Sequence, residues 1–148
     1  MKRIYILLSA AVVCMCLFGG AERMAEAYSA VEKHPIDLKL EKMIEESPTA
    51  TAGVAEAYEY ATQEWDKLLN KNYNSLMKLL KKDEKEMLKS SQREWIKYRD
   101  LEFKFNEKYW LKFSGTMYVP FPYAYQCNFV KERALRLGYY LEDLEASR

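Results

Sequence analysis

Turn-forming residues are scarce in this chain, with five glycines and four prolines among 148 residues. That excludes the closely spaced turns of a small β-sandwich or barrel and favours long regular elements. Histidine is nearly absent. His34 stands alone beside Pro35, where an exposed or capping role outranks that of a general base. HExxH, CxxC, phosphate-cradling glycine loops and metal-ligand clusters are all missing, so neither a metal nor a cofactor is expected.

Excess charge is missing as well, with 23 basic and 22 acidic residues. A near-neutral chain is a poor fit to nucleic acid or to a polybasic membrane anchor. Cysteine is limited to Cys14, Cys16 and Cys127. The first two fall in a leader-like stretch: Lys2 and Arg3, then an uncharged apolar run from Ile4 to Phe18, then Gly19, Gly20 and Ala21. This is the layout of a secretory signal peptide, with cleavage after Ala21 or after Ala27. The run is too short for a spanning helix, which needs ~20 apolar residues. Val13 and Met15 precede the two cysteines, whereas lipidation wants a small residue there. The expectation is therefore a signal peptide over 1–27 and one domain over 28–148, exported to the periplasm or medium. No stable membrane insertion is expected after cleavage. Cys127 would then be alone, so the domain must be held by its core and not by an internal disulfide.

What is abundant is helix former and aromatic ring. Lys, Glu, Leu and Ala dominate, and 12 Tyr, 6 Phe and 3 Trp supply apolar area for a single core. The fold class read from this is all-α. Pro35 suits a first helical position, and Ile36, Leu40, Met43 and Ile44 form a short amphipathic helix to about Glu46. Ser47-Pro48-Thr49 breaks it. Thr51 is the expected N-cap of a second helix reaching about Lys82, with a seam of Val54, Tyr58, Ala61, Trp65, Leu68, Leu69, Leu76 and Leu80. Asp66, Asn70 and Tyr73 flank that seam.

The charge run 81–86 reads as a solvated turn, with Asp83 as N-cap and Glu86 as its capping partner. A third helix runs from Glu84 to about Phe113 on a seam of Leu88, Ser91, Trp95, Tyr98, Glu102, Phe105 and Tyr109. Beside it lies a polar stripe of Gln92, Arg99, Glu102 and Asn106. The two long helices are expected to form an antiparallel hairpin, with facing residues summing to about 165. That register pairs Asp66 with Arg99. Gly115, Pro120 and Pro122 interrupt the pattern. A fourth helix follows from about Ala124 on Val130, Ala134, Leu137, Leu141 and Leu144, with Arg133 placed to extend an Arg99–Glu102 network.

Chemistry is thin. Asp66, Asp100 and Glu102 could be read as a glycosidase-like carboxylate set, but Arg99 and Arg133 beside them favour ionised, structural carboxylates. An enzyme is not expected. The better candidate is the loop 116–123, where Met117, Tyr118, Val119, Phe121 and Tyr123 are stiffened by two prolines. These residues either pack down as a lid on the bundle or protrude as an aromatic contact loop.

The run Asp66-x-x-Leu69-Asn70-x-x-Tyr73, then Leu88-x-x-x-Gln92-x-x-Trp95-x-x-Tyr98-Arg99-Asp100-x-Glu102, then Arg133, resembles the LprI-type lysozyme inhibitor family. The resemblance extends over roughly residues 36–144. It implies an all-helical exported domain that, by the family's name, inhibits lysozyme in the cell envelope. The chain is accordingly read as a monomeric binding protein without catalysis, its partner lysozyme or another envelope protein. The alternative is an envelope interaction or scaffolding domain with a different partner. Many members carry cysteine pairs. The resemblance places Ile44, Ala57 and Phe103 at those positions, implying apolar contacts in place of disulfides, with Ile44 near Ala57.

Overall fold

The computed structural model describes residues 33–49 and 51–147. The leader-like stretch, both of its cysteines and the two cleavage points fall outside the described residues. Four helices follow in order: α1 (Pro35–Glu45), α2 (Ala52–Leu79), α3 (Lys82–Trp110) and α4 (Pro120–Ala146), with a 3₁₀ turn at Thr116–Tyr118 between the last two. No strand occurs among the described residues. The short, long, long, long order is that expected from the hydrophobic periodicity, and residues 35–148 make one compact unit.

The helix ends show where local chemistry differs from the expected caps. Thr51 makes no side-chain capping bond; the hydroxyl of Thr49 instead accepts the Gly53 N–H at 2.9 Å. One of the unpaired first-turn donors is thereby satisfied from two residues further back. The chain leaves α2 through Leu80 and enters α3 through Lys81, both extended (ψ 155° and 168°). The expected Asp83–Glu86 cap therefore moves upstream, and Glu84 accepts the Lys81 N–H at 2.8 Å. At the other turn, helix resumes at Pro120, earlier than the expected Ala124. Pro120 and Pro122 fall in the first turn, where an N–H would have no helical partner, so neither proline costs a hydrogen bond. Gly115 makes the reversal with φ of 118°, a conformation costly for any residue with a Cβ.

The tightest helix pair joins α2 and α4, not α2 and α3. Trp65, Leu69 and Leu76 from α2 and Cys127, Val130, Ala134 and Leu137 from α4 make one buried cluster. Both of these seams match the sequence reading. Contacts advance in the same direction along the two helices. Lys131 sits over the Trp65 ring, Asn72 Nδ2 donates to the Ala134 carbonyl at 3.0 Å, and Leu76 lines one cavity with Tyr140 and Leu144. The pair is therefore parallel, with α3 antiparallel to both. Small residues make the approach possible: Ala61 and Ala134 are wholly buried, and a Cβ on Gly138 would lie 3.2 Å from Asn72 Nδ2. Such interdigitation leaves little room for added volume.

Because α4 fills the place opposite α2, the register summing to 165 does not form. The Asp66–Arg99 ion pair is absent: Asp66 accepts from Asn70 Nδ2 on its own helix at 2.9 Å, and Arg99 pairs with Asp100 at 2.7 Å. The α3 seam is also offset. Tyr98, Phe105 and Tyr109 face outward, with 54%, 63% and 40% exposure, whereas Gln92, Trp95, Phe103, Asn106 and Trp110 face the bundle. Two amides are buried in that stripe, which hides it from an apolar periodicity.

Helix α1 packs on α2 through Ile36 and Leu40, with Ile44 half-buried and Ala57 buried. A bond from Lys131 Nζ to Asp37 at 2.7 Å ties α1 to α4. Buried Cys127 has its thiol pushed up by desolvation, which disfavours the reactive thiolate.

Replacing Ala134 by Leu forces a larger side chain between α2 and α4. Overpacking of this kind costs ~1–3 kcal/mol. The expected outcome is a lower denaturant midpoint with unchanged helical circular dichroism.

Candidate functional site

Two regions gather the residues that sequence reasoning singled out, and both lie between α3 and α4. The first is a polar–aromatic seam. Arg133 Nε donates to Gln92 Oε1 at 3.0 Å and its Nη2 to Ser91 Oγ at 3.3 Å. The guanidinium lies 5.8 Å from the Trp95 ring centroid, and that of Arg99 lies 5.4 Å from the same ring. Cations placed over an indole are held by its quadrupole as well as by any counter-ion. Burial lowers the Arg133 pKa from its ordinary value, because desolvation penalises the charged form.

Arg133 therefore joins Gln92 and Trp95 in place of the expected Arg99–Glu102 network. Glu102 has a different partner, the phenol of Tyr125, which donates to Oε2 at 2.7 Å. That bond is the main reason the Tyr125 pKa is pushed up to about 12, with burial and the Glu102 charge adding to it. The three acids weighed as a catalytic set are thus held separately: Asp66 by Asn70, Asp100 by Arg99 and Glu102 by Tyr125. Among the described residues no group of three or more His, Cys, Asp or Glu could hold a metal ion.

At the centre of the seam is Phe129, which the sequence reading missed. Its ring lies 5.5–5.9 Å from Trp95, Tyr98 and Phe103, and 6.2 Å from Tyr125. The signal was available, since Phe129 lies one helical turn before Arg133. Tyr73 also packs against the core, but Asp66 and Asn70 remain together on α2. Seven of the ten motif residues thus belong to the α3–α4 seam (Gln92, Trp95, Tyr98, Arg99, Asp100, Glu102 and Arg133), whereas Asp66, Asn70 and Tyr73 belong to α2.

The second region is the bundle tip, where the candidate loop meets the end of α3. Trp110 stacks on Phe121 at 4.7 Å and faces Tyr118 at 6.2 Å. Phe113 lies 5.2 Å from Tyr118, and Tyr109 lies 5.4 Å from Phe113. Buried Asn106 links the elements, donating to the Pro122 carbonyl at 3.1 Å and accepting from Trp110 Nε1 at 2.8 Å. Tyr118 and Phe121 thus pack into the cluster, whereas Met117 and Val119 stay outside it, 64% and 44% exposed. Tyr123 is half-exposed on the first turn of α4. The loop is both a lid and a projection. Phe105, Asn106, Tyr109, Trp110 and Tyr125 line an open apolar groove of about 210 Å³ beside it, large enough for one partner side chain. A rigid aromatic surface of this kind binds with little loss of side-chain freedom.

A family model described as lysozyme inhibitor LprI matches residues 44–137. No curated protein matches the sequence. Among solved structures, the crystal structure of an uncharacterised protein from Burkholderia thailandensis matches with a TM-score of 0.72 at 24% identity, covering 78% of this chain and 57% of that one. This chain thus spans well under two thirds of the length of that structural relative, and the likeness is one of fold.

The Tyr125–Glu102 bond makes a pH signature. A phenol whose folded pKa is raised contributes stability below its unfolded value near 10, and that contribution is lost as pH rises towards about 12. In Glu102→Gln the Tyr125 titration, followed by NMR of ring-labelled tyrosine, is expected to return towards the ordinary value. An unchanged titration would show that the bond does not persist in solution.

Proposed function

The chain belongs to the LprI lysozyme inhibitor family, and from that membership we propose that it is an exported binding protein that inhibits lysozyme in the cell envelope. The observation that carries this reading is the family match across residues 44–137, which spans most of α2, α3 and α4. Export is supported by the basic, apolar and small-residue order of residues 2–21. Among the described residues no helix is long and apolar enough to cross a membrane.

Inhibition of this kind needs no catalytic group. Met117 and Val119 would enter the saccharide cleft, with the Trp110–Phe121 stack fixing their backbone and excluding substrate. Residues 35–79 carry eight acidic and five basic side chains, giving α1 and α2 an excess of the sign that attracts a cationic lysozyme.

Lysis of a peptidoglycan suspension by lysozymes of several types, with and without the chain lacking residues 1–27, tests the proposal. Dose-dependent protection is expected, weakened at least about tenfold in Met117→Ala/Val119→Ala, where two apolar contacts are trimmed. Asp66→Ala, away from the tip and bonded only within α2, should protect as the parent does. Absence of protection at large molar excess would remove lysozyme as the partner.

A further inference from the structure

The outer face of the second half of α3 has no packing partner in the bundle. Leu101, Phe105 and Leu111 are 65%, 63% and 83% exposed there. Lys104 and Lys108 lie among them one helical turn apart, and Lys112 follows in the turn just past the end of α3; all three are exposed. None of these lysines pairs with a carboxylate among the described residues; Lys112 instead sits 5.7 Å from the Tyr109 ring. The three acids of this half-helix are Asp100, held by Arg99, Glu102, held by Tyr125, and Glu107, which lies to the side of the Lys104–Lys108 line by its spacing.

We propose that this face binds the surface of an anionic lipid bilayer, with α3 lying along the membrane. Three features select lipid over other occupants. The charge is complementary to acidic headgroups, and unpaired lysines can extend towards phosphates while their stems cover apolar surface. Leucine and phenylalanine interleaved with lysine suit the boundary between headgroup and acyl chain, where tyrosine and tryptophan also accumulate. A second copy of the same face would bring its three lysines against like charge. This goes beyond the lysozyme reading: it uses a different set of residues, and either can fail without the other.

Vesicle flotation of the chain lacking residues 1–27, which keeps the whole compact unit 35–148, tests the proposal without the apolar leader. Flotation is expected with mixed phosphatidylglycerol–phosphatidylcholine vesicles and not with phosphatidylcholine alone. The exposed triple variant K104Q/K108Q/K112Q should bind roughly 100-fold more weakly, three lysines each losing about one headgroup attraction. Leu111→Ser, which leaves the charge unchanged, should weaken binding about tenfold by losing apolar burial. Circular dichroism and Tm check that both variants fold. No flotation, equal flotation with neutral vesicles, or parental binding by the triple variant would each overturn the proposal. So would a concentration-dependent dimer abolished by Leu111→Ser, which would assign the face to a second copy.

Discussion

The close parallel approach of α2 to α4 is the constraint on which the rest of the molecule depends. It requires small residues at Ala61, Ala134 and Gly138, and Asn72 bonded to the Ala134 carbonyl marks its centre. Once those backbones meet, α3 must lie to one side, held off by the large rings of Trp95, Phe103 and Phe129. Its buried stripe is therefore aromatic and amide, not aliphatic. The pairing also turns the exposed half of α3 away from any neighbour, leaving Phe105 and Leu111 uncovered. One packing choice thus generates both the polar–aromatic seam and the open face.

Sequence periodicity recovered helix number, order and the seams of α2 and α4, because those stripes are uniformly apolar and repeat at helical spacing. It misplaced the α3 stripe since Gln92 and Asn106 are buried there with hydrogen bonds, and a polar residue in a core carries no hydrophobic signal. The choice of partner helix was not readable either. A two-residue connection between long helices implies that they reverse direction, but it does not say which neighbour comes closest. Small residues decide that, and Ala134 and Gly138 were available as the clue. The capping errors have a similar origin. Thr49 and Glu84 act across spacings that other Ser, Thr and acidic residues nearby also satisfy, so geometry selects among several permitted partners.

Whole-chain charge concealed a more useful quantity. Near neutrality averages an acid-rich α1–α2 half against a lysine-lined face of α3. The candidate loop shows the same limit of sequence reasoning in miniature. Its prolines read as a break, yet they begin α4 because a first helical turn needs no N–H from them. Packing then divides the loop: Tyr118 and Phe121 stiffen the tip from within, while Met117 and Val119 stay exposed. Rigidity and exposure are supplied by neighbouring residues of one short segment.

The parallel pairing also governs when the chain can fold. Asn72 and its Ala134 partner are 62 residues apart, so the principal core forms only after a long loop is closed. The α3–α4 hairpin has the more local contacts and would form sooner. A polypeptide emerging N-terminus first therefore has no mate for Trp65 until the last helix is free. Its core cannot close before then, which makes completion of α4 the event that commits the chain to the folded state.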